Sequence, residues 1–206
     1  MRVCLVGMKP TFFDNHKVLR DLLGVLIFIV AVIIGAWLIN MFLFRSFSVS
    51  GPSMESTLYT NDRLIVNRLP VSWANIQGKS YQPLRGQVIV FKNPQFQTGM
   101  QDEYIVKRVI GLPGERVVLK DGKYTVYNNE NPQGFDPDTL TPNGPSSPTD
   151  GDVDRIVPDE ELFVSGDHRQ EGYSLDSRNG MGTIALYDVI GPVGLRIYPF
   201  NKIRTF

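Results

Sequence analysis

The first residue whose surroundings suggest chemistry is a serine in residues 50–58. Ser53 lies between Pro52 and Met54, in a stretch too rich in glycine, proline and serine for the middle of a helix. A serine in such a place is usually a turn residue whose hydroxyl bonds nearby backbone. It is a candidate nucleophile only if another side chain can remove its proton.

A lysine further along the chain is the best candidate base. Lys107 lies in an apolar segment, residues 104–110, whose side chains would alternate between two faces if it were a strand. It would share its face with Ile105 and Val109, and burial there would lower its pKa. A lysine with a pKa near neutrality can take a proton from a serine hydroxyl. The alternative is a lysine at a sheet edge with its charged end in water.

Other combinations fit less well. His16 precedes a long apolar segment, so only His168 is left for a Ser-His-Asp site. Its neighbour Asp167 would point to the opposite face of an extended segment, which leaves Asp176 to orient the ring. The single cysteine, Cys4, allows no intrachain disulfide and no thiol nucleophile beyond the apolar segment. Two histidines and one cysteine cannot form a zinc cluster, so we expect no metal and no cofactor.

Residues 166–178 form a third polar stretch, with short hydrogen-bonding side chains and acids and bases of both signs. Such a stretch is either a polar turn with local caps or one wall of a site. In the second case its hydroxyls and ion pairs would fix a neighbouring group.

These residues follow an apolar segment, residues 22–44, in which only Asn40 is clearly polar. As a helix it would be about 35 Å long, enough for a hydrocarbon core of about 30 Å, with Trp37 toward its outer end. Four basic residues precede it, namely Arg2, Lys9, Lys17 and Arg20, whereas only Arg45 follows closely. The positive-inside rule therefore predicts a cytoplasmic N-terminus.

A cleavable signal peptide is the alternative, since the serines at 46, 48 and 50 offer small residues two apart. The apolar segment is longer than the usual 7 to 15 residues of a signal peptide, which favours an uncleaved anchor. A buried helix of a soluble protein is disfavoured, because nothing else in the sequence could surround a helix that is apolar on all sides.

Beyond residue 45, short apolar runs rich in β-branched residues predict a mainly β domain. The predicted strands are residues 63–67, 87–91, 103–110, 116–119, 124–127, 161–165 and 188–198. Residues 116–119 and 124–127 are predicted to form a hairpin whose turn is Asp121-Gly122. No long amphipathic helix is expected outside the membrane.

Residues 128–154 differ from the rest, with six acidic residues and no lysine or arginine. This composition predicts a mobile surface insertion exposed to solvent, with a functional lid as the alternative.

Together, these stretches resemble the type I signal peptidases, membrane-bound serine proteases that remove signal peptides. Five segments are similar to family motifs and follow each other in the family's order: residues 50–58, 62–67, 85–91, 104–115 and 166–178. The resemblance implies an antiparallel β-sheet catalytic domain with an inserted hairpin and loop, behind one transmembrane helix. The expected domains are a cytoplasmic segment 1–21, the helix 22–44 and an extracytoplasmic catalytic domain 45–206, with the insert at 115–158.

The resemblance also implies roles for individual residues. Ser53 becomes the nucleophile and Lys107 the general base, and Ser174 matches a serine that hydrogen-bonds and orients the lysine. Four further residues match those that hold the site's shape through ion pairs: Asp176, Arg178, Asp167 and Arg108. The Ser53 N–H is an expected oxyanion donor, and Gly51 occupies the position of a possible second one.

Three features depart from the family motifs. Ser56 stands where the family usually has proline, which removes no reactive group. His168 replaces the usual asparagine. Two extra residues lie between Arg169 and Ser174, so the placement of Ser174 depends on how that gap is aligned.

The expected activity is cleavage of N-terminal signal peptides from exported preproteins, at sites preceded by small residues. The lipid bilayer is the other expected partner, and the chain is expected to be a monomer in the cell membrane. One alternative is a chaperone-like assembly factor for surface proteins, although the presence of both Ser53 and Lys107 favours an enzyme. Another is a self-cleaving repressor, but the anchor and the zero net charge argue against it and against nucleic acid as a partner.

Overall fold

The computed structural model describes residues 17–100, 102–140, 145 and 148–206. Arg2, Cys4, Lys9 and His16, which entered the sequence predictions, lie outside the described residues. The chain divides into two compact units, Met1–Met41 and Phe42–Phe206.

The first unit contains one apolar helix, α1, Lys17–Leu38. It begins earlier than the predicted segment, because backbone hydrogen bonding continues through polar residues as readily as through apolar ones. Ile39–Leu43 then forms a π-helix, and Phe44 belongs to a strand rather than to the helix, since it pairs with Asn67. The apolar side chains of α1 are exposed, and Val18–Leu43 is long and apolar enough to be a candidate membrane span.

The second unit is built from antiparallel strands, as the sequence predicts. They are β1 Phe44–Ser48, β2 Arg63–Asn67, β3 Val88–Lys92, β4 Tyr104–Gly111, β5 Arg116–Lys120, β6 Lys123–Tyr127, β7 Val153–Ile156, β8 Glu161–Ser165, β9 Ile184–Ala185, β10 Val189–Tyr198 and β11 Arg204–Thr205. A short helix, α2 Leu69–Ile76, follows β2.

The larger sheet has the strand order β1-β2-β10-β3-β4-β8-β9, with β11 added beside β10. Strand β10 pairs first with β3 and then with β2. At Gly191, where it passes from one partner to the other, a Cβ would lie 2.3 Å from the carbonyl oxygen of Asn67, so glycine is required. The smaller sheet has the order β6-β5-β7.

Strand β3 lies between two hydrophobic clusters and supports the centre of the larger sheet. Ile89 and Phe91 pack into one cluster, and Val88 and Val90 into the other. Because both faces are buried, the segment is continuously apolar instead of alternating. A third cluster fills the space beneath the β5–β6 hairpin, around Tyr124.

The predicted strands agree closely with the observed ones. β2 and β8 have the predicted bounds, and β3 and β4 are shifted by a single residue. The β5–β6 turn is also as expected, since Asp121 and Gly122 both have positive φ values, 51° and 79°.

The helix α2 and the strands β1, β7, β9 and β11 were not predicted. Helix α2 has only Val71 buried, and its other large apolar residues, Leu69, Trp73 and Ile76, form a stripe at i, i+4 and i+7 that is exposed instead of facing the core.

The acidic segment lies at the surface, as predicted for residues 128–154, since most of its described residues are exposed, but it also contains ordered contacts that the sequence did not indicate. Phe135 forms a β-bridge with Val126, and a 3₁₀ helix follows at Pro137–Leu140. Pro137 and Thr149 are buried. The described part of the segment thus packs back onto the domain.

Candidate active site

Ser53 lies in the loop between β1 and β2, and its neighbours fix that loop. Met54 and Leu58 are fully buried in the cluster that also contains Leu64. The amides of Thr57 and Leu58 both donate to the Met54 carbonyl at 2.8 Å. Burying each of the two large side chains contributes about 1.5–3 kcal/mol, so the core holds Ser53 at a defined position.

Lys107 approaches this serine from β4. Its Nζ donates a hydrogen bond to Ser53 Oγ at 2.6 Å, and the residue is 3% exposed. Burial lowers the pKa of Lys107 from 10.5 to about 8, while nearby Asp176 raises it and Arg178 lowers it further. An amine with this pKa is neutral in roughly a tenth of molecules at pH 7, and its lone pair can then accept the serine proton.

The next residue, Arg108, points to the opposite side of β4 and pairs with Asp167. Its Nε and Nη2 bind the two carboxylate oxygens at 2.7 and 2.5 Å, and the side chains are 4% and 0% exposed. The same guanidinium donates to the Gly86 carbonyl at 2.7 Å. This bidentate pair ties β4 to the segment that follows β8.

Asp176 connects several parts of the site. Its Oδ2 accepts hydrogen bonds from Ser174 Oγ at 2.7 Å, Gly166 N–H at 2.8 Å and Arg178 Nη2 at 2.9 Å. Burial alone would raise the pKa of Asp176, but the Arg178 hydrogen bond and charge, with the other donors, hold it below its usual value. The carboxylate is therefore ionised and organises residues 166–178 around itself.

Ser174 lies against this carboxylate and not against the lysine. Within the described chain its hydroxyl is hydrogen-bonded to Asp176 and not to Lys107, whose Nζ is bonded to Ser53, so the bond to Lys107 that the resemblance implies is not made here. The anionic carboxylate is the stronger partner for a hydroxyl hydrogen.

Gly166 is a functional residue that the sequence prediction did not single out. A Cβ at this position would lie 2.2 Å from Ser174 Oγ and 2.3 Å from the Ser53 carbonyl oxygen, so only glycine lets the two segments meet. The available signal was a glycine directly after a predicted strand, at the start of the polar stretch.

His168 contacts the serine loop but does not form a Ser-His-Asp site. Its backbone N–H donates to the Ser53 carbonyl at 3.1 Å, and its ring Nδ1 lies 3.2 Å from the Pro52 carbonyl oxygen. The two carboxylates that could have oriented the ring, Asp167 and Asp176, are both bound to arginines.

A cleft of about 470 Å³ opens over Ser53 and Lys107. Its apolar lining includes Phe47, Val49, Leu64, Ile105, Leu175 and Met181. The first half of β4 runs along it, paired with β3 on one side. Strand β8 joins the other side only from Arg108 onward, so residues 104–107 have an edge without a strand partner in the described chain. An extended peptide can add to such an edge.

Both residues expected to stabilise an oxyanion, Ser53 and Gly51, also line this cleft. Gly51 has a φ of 86°, a conformation that favours glycine. Ser53 and Gly51 therefore border the same cleft as Lys107.

Comparisons with known proteins identify the family of this chain. The model of the signal peptidase family, peptidase S26, matches residues 22–198. Signal peptidase I of Bacillus amyloliquefaciens is 33% identical over 182 residues, which are 85% of this chain and 87% of that protein. Signal peptidase I U of Bacillus subtilis (strain 168) is 30% identical over 97% of this chain and 98% of that protein.

Among solved structures, a signal peptidase I from Enterococcus faecalis V583 matches with a TM-score of 0.41 and 27% identity, covering 54% of this chain and 96% of that one. The family match alone extends over most of the sequence, from the apolar helix to the end of β10. The chain therefore belongs to the peptidase S26 family of signal peptidases.

Proposed function

We propose that this protein is a serine endopeptidase that removes N-terminal signal peptides from exported preproteins, with Ser53 as nucleophile and Lys107 as general base. The observation that supports the dyad most strongly is the 2.6 Å contact between Lys107 Nζ and Ser53 Oγ. It is made by a buried lysine whose pKa is lowered to about 8, which is what proton transfer from a serine requires. Family membership supports the signal peptide as substrate.

The reaction would proceed through an acyl-enzyme. Neutral Lys107 takes the Ser53 proton as Oγ attacks the scissile carbonyl, and the Ser53 N–H, with Gly51 as second donor, stabilises the oxyanion. The lysine then protonates the leaving amine, which departs and leaves an ester on Ser53. A water molecule deprotonated by Lys107 hydrolyses this ester and restores the free hydroxyl.

The surrounding polar residues serve as supports in this proposal. Arg108–Asp167 and Asp176–Arg178 hold the two segments that flank the dyad, and Ser174 extends the second pair toward Gly166. None of these residues exchanges a proton with the substrate in the proposed reaction. Their loss would act through the position of Ser53 and Lys107.

The substrate would bind as an extended strand along the free edge of residues 104–107. We propose that small residues, typically alanine one and three positions before the cut, fit the pockets of this cleft, as the family resemblance implies. The partly apolar lining suits an uncharged segment of this kind.

We further propose that α1 anchors the protein in the cell membrane, with the N-terminus in the cytoplasm and the catalytic domain outside. Ser53 follows Phe44 by nine residues, so even an extended tether spans only about 30 Å. Cleavage would therefore take place close to the bilayer, where an inserted signal peptide ends. The alternative of an assembly factor has no support, because the matched relatives are signal peptidases.

Incubation of the purified full chain with a preprotein, followed by mass mapping of the products, tests this proposal. We expect a single cut after a small residue, and loss of activity by at least about 10³-fold in Ser53→Ala and in Lys107→Ala. Ser80→Ala and Lys79→Ala are matched controls, since both residues are exposed and distant in sequence from the site. Full activity of Ser53→Ala or Lys107→Ala would contradict the dyad.

A further inference from the structure

The acidic segment contacts the site-bearing part of the domain through one buried arginine. Arg169 follows the Gly166–Asp167 corner and is completely buried. A buried guanidinium is strongly destabilising unless its charge is paired and its N–H groups are bonded. Its partners therefore decide whether this part of the chain keeps its conformation.

The acidic segment supplies the carboxylate that pairs with the Arg169 guanidinium. Asp138, on the 3₁₀ helix Pro137–Leu140, binds Arg169 Nη1 and Nη2 with its two carboxylate oxygens at 2.8 and 2.7 Å. Thr149, near the other end of the same segment, accepts a bond from Nη1 at 2.9 Å. The guanidinium also lies over the Tyr124 ring, 5.1 Å from its centroid. Within the described chain, Asp138 is the carboxylate bound to this buried charge.

The backbone of Arg169 is in turn part of the site's framework. Its carbonyl accepts a bond from Arg178 Nη1 at 2.7 Å and another from the Asp150 N–H at 3.0 Å. Arg178 is the residue that pairs with Asp176. The hydrogen bond from Arg178 therefore links Arg169, which the acidic segment holds, to the Asp176–Arg178 ion pair near Lys107.

The preceding residue completes the connection to the nucleophile. The His168 N–H donates to the Ser53 carbonyl at 3.1 Å, and Arg169 Nε donates to the Gly166 carbonyl at 2.8 Å. Residues 166–169 are thus paired with Asp138 through the Arg169 side chain and hydrogen-bonded to Ser53 through the His168 N–H. Loss of the Asp138 carboxylate would leave the Arg169 guanidinium buried without its ion-pair partner, at the end of this segment opposite to Ser53.

We propose that Asp138 is a positioning residue, through which the acidic segment 128–154 holds residues 166–169 against Ser53 and keeps Arg178 in place beside Lys107. The segment is then a structural part of the active site and not an appendage in solvent. This inference rests on the proposed function for its effect on cleavage. Its effect on the conformation of residues 166–169 is independent of that function.

Asp138→Asn tests the proposal, with Asp138→Glu as the conservative variant and Asp152→Asn as the control. Asp152 is an exposed acid of the same segment, so its variant changes the charge equally without touching Arg169. We expect Asp138→Asn to lower kcat at least about tenfold with KM within about twofold, Asp138→Glu to recover part of the loss, and Asp152→Asn to match the wild type. A misplaced Arg178 also changes the charges facing Lys107, so the pH at which kcat/KM reaches half its maximum is expected to move.

Amide hydrogen exchange by NMR provides a readout that does not depend on catalysis, and it can be repeated in the Ser53→Ala background. In Asp138→Asn we expect the Gly166 and His168 amides to exchange at least about tenfold faster, while amides of β3 keep their wild-type rates. Uniformly faster exchange throughout the domain would overturn the proposal, because it would indicate general destabilisation. Unchanged exchange at Gly166 and His168 would overturn it as well. If Ser53→Ala proved active but the local exchange effect was present, the proposed function alone would fail.

Discussion

At the scale of single residues, the site depends on two close approaches. Lys107 Nζ contacts Ser53 Oγ, and both the Ser53 carbonyl and the Ser174 hydroxyl pack directly against Gly166. The contact between Lys107 and Ser53 joins residues 54 positions apart. The packing against Gly166 is possible only because glycine has a hydrogen atom where other residues have a Cβ. The proposed chemistry of Ser53 and Lys107 therefore relies on a steric requirement at Gly166 as well.

Gly166→Ala is expected to abolish cleavage and to reduce the free energy of unfolding by about 1–3 kcal/mol. The added methyl group would overlap Ser174 Oγ and the Ser53 carbonyl, and overpacking of this kind typically costs about 1–3 kcal/mol. Preprotein cleavage and urea denaturation measure the two effects. Gly194→Ala is the control, since a Cβ there meets only the Ile65 carbonyl oxygen at 3.7 Å. An active Gly166→Ala enzyme would contradict the described packing.

At the scale of elements, the site is the meeting point of the serine loop, β4 and the segment after β8. The loop is fixed by the burial of Met54 and Leu58, whereas β4 is fixed by pairing with β3 and by the Arg108–Asp167 ion pair. The loop thus relies on hydrophobic packing and the strand on hydrogen bonds. Each can be weakened without altering a residue of the dyad.

Met54→Ala is expected to destabilise the protein by about 2–5 kcal/mol, the range for removing a large buried side chain. Cleavage at temperatures where the variant remains folded is expected to fall as well, because the backbone next to Ser53 gains freedom. Met100→Ala provides the comparison, since Met100 is 51% exposed. If both variants unfolded at the same urea concentration, the core would not be what fixes the serine loop.

The strands and the contact between Ser53 and Lys107 could be predicted from the sequence because their signals are local or similar to known motifs. The run Arg63–Asn67 identified β2, and alternation along residues 104–110 placed Lys107 beside Ile105 and Val109. Helix α2 was missed because it has only eight residues, so its apolar stripe of Leu69, Trp73 and Ile76 is short, and that stripe is exposed instead of facing the core. The contact of Asp138 with Arg169 joins residues 31 apart through a segment whose composition resembles a solvated loop, so no local pattern indicates it.

At the scale of the whole molecule, the proposed role of Lys107 as a base and the stability of the fold make opposite demands on this residue. Its pKa is lower in the folded chain than in the unfolded chain, so the unfolded chain binds more protons between about pH 8 and 10.5. Its contribution to stability therefore rises with pH across that window. Below pH 8 the amine is protonated in both states, and the fold bears the full cost of the buried charge, about 3 kcal/mol at roughly 1.4 kcal/mol per pKa unit.

Lys107→Met is accordingly expected to raise the free energy of unfolding at pH 7 by up to about 3 kcal/mol while abolishing activity. The gain is expected to shrink between pH 8 and 10.5, as the wild type recovers stability. Urea denaturation of the full chain in mild detergent at pH 7 and pH 10 measures both values. The exposed Lys79→Met is the control. A Lys107→Met protein less stable than the wild type at pH 7 would show that the lysine is not a destabilising buried cation.

The most direct test of the central claim is to titrate the Lys107 side chain by NMR in the full chain and to compare it with the pH dependence of kcat/KM. If neutral Lys107 is the base for Ser53, the amine loses its proton with a midpoint near pH 8, and kcat/KM rises with pH through the same midpoint. A Lys107 that titrates near 10.5, or a kcat/KM that rises with a different midpoint, would contradict the account.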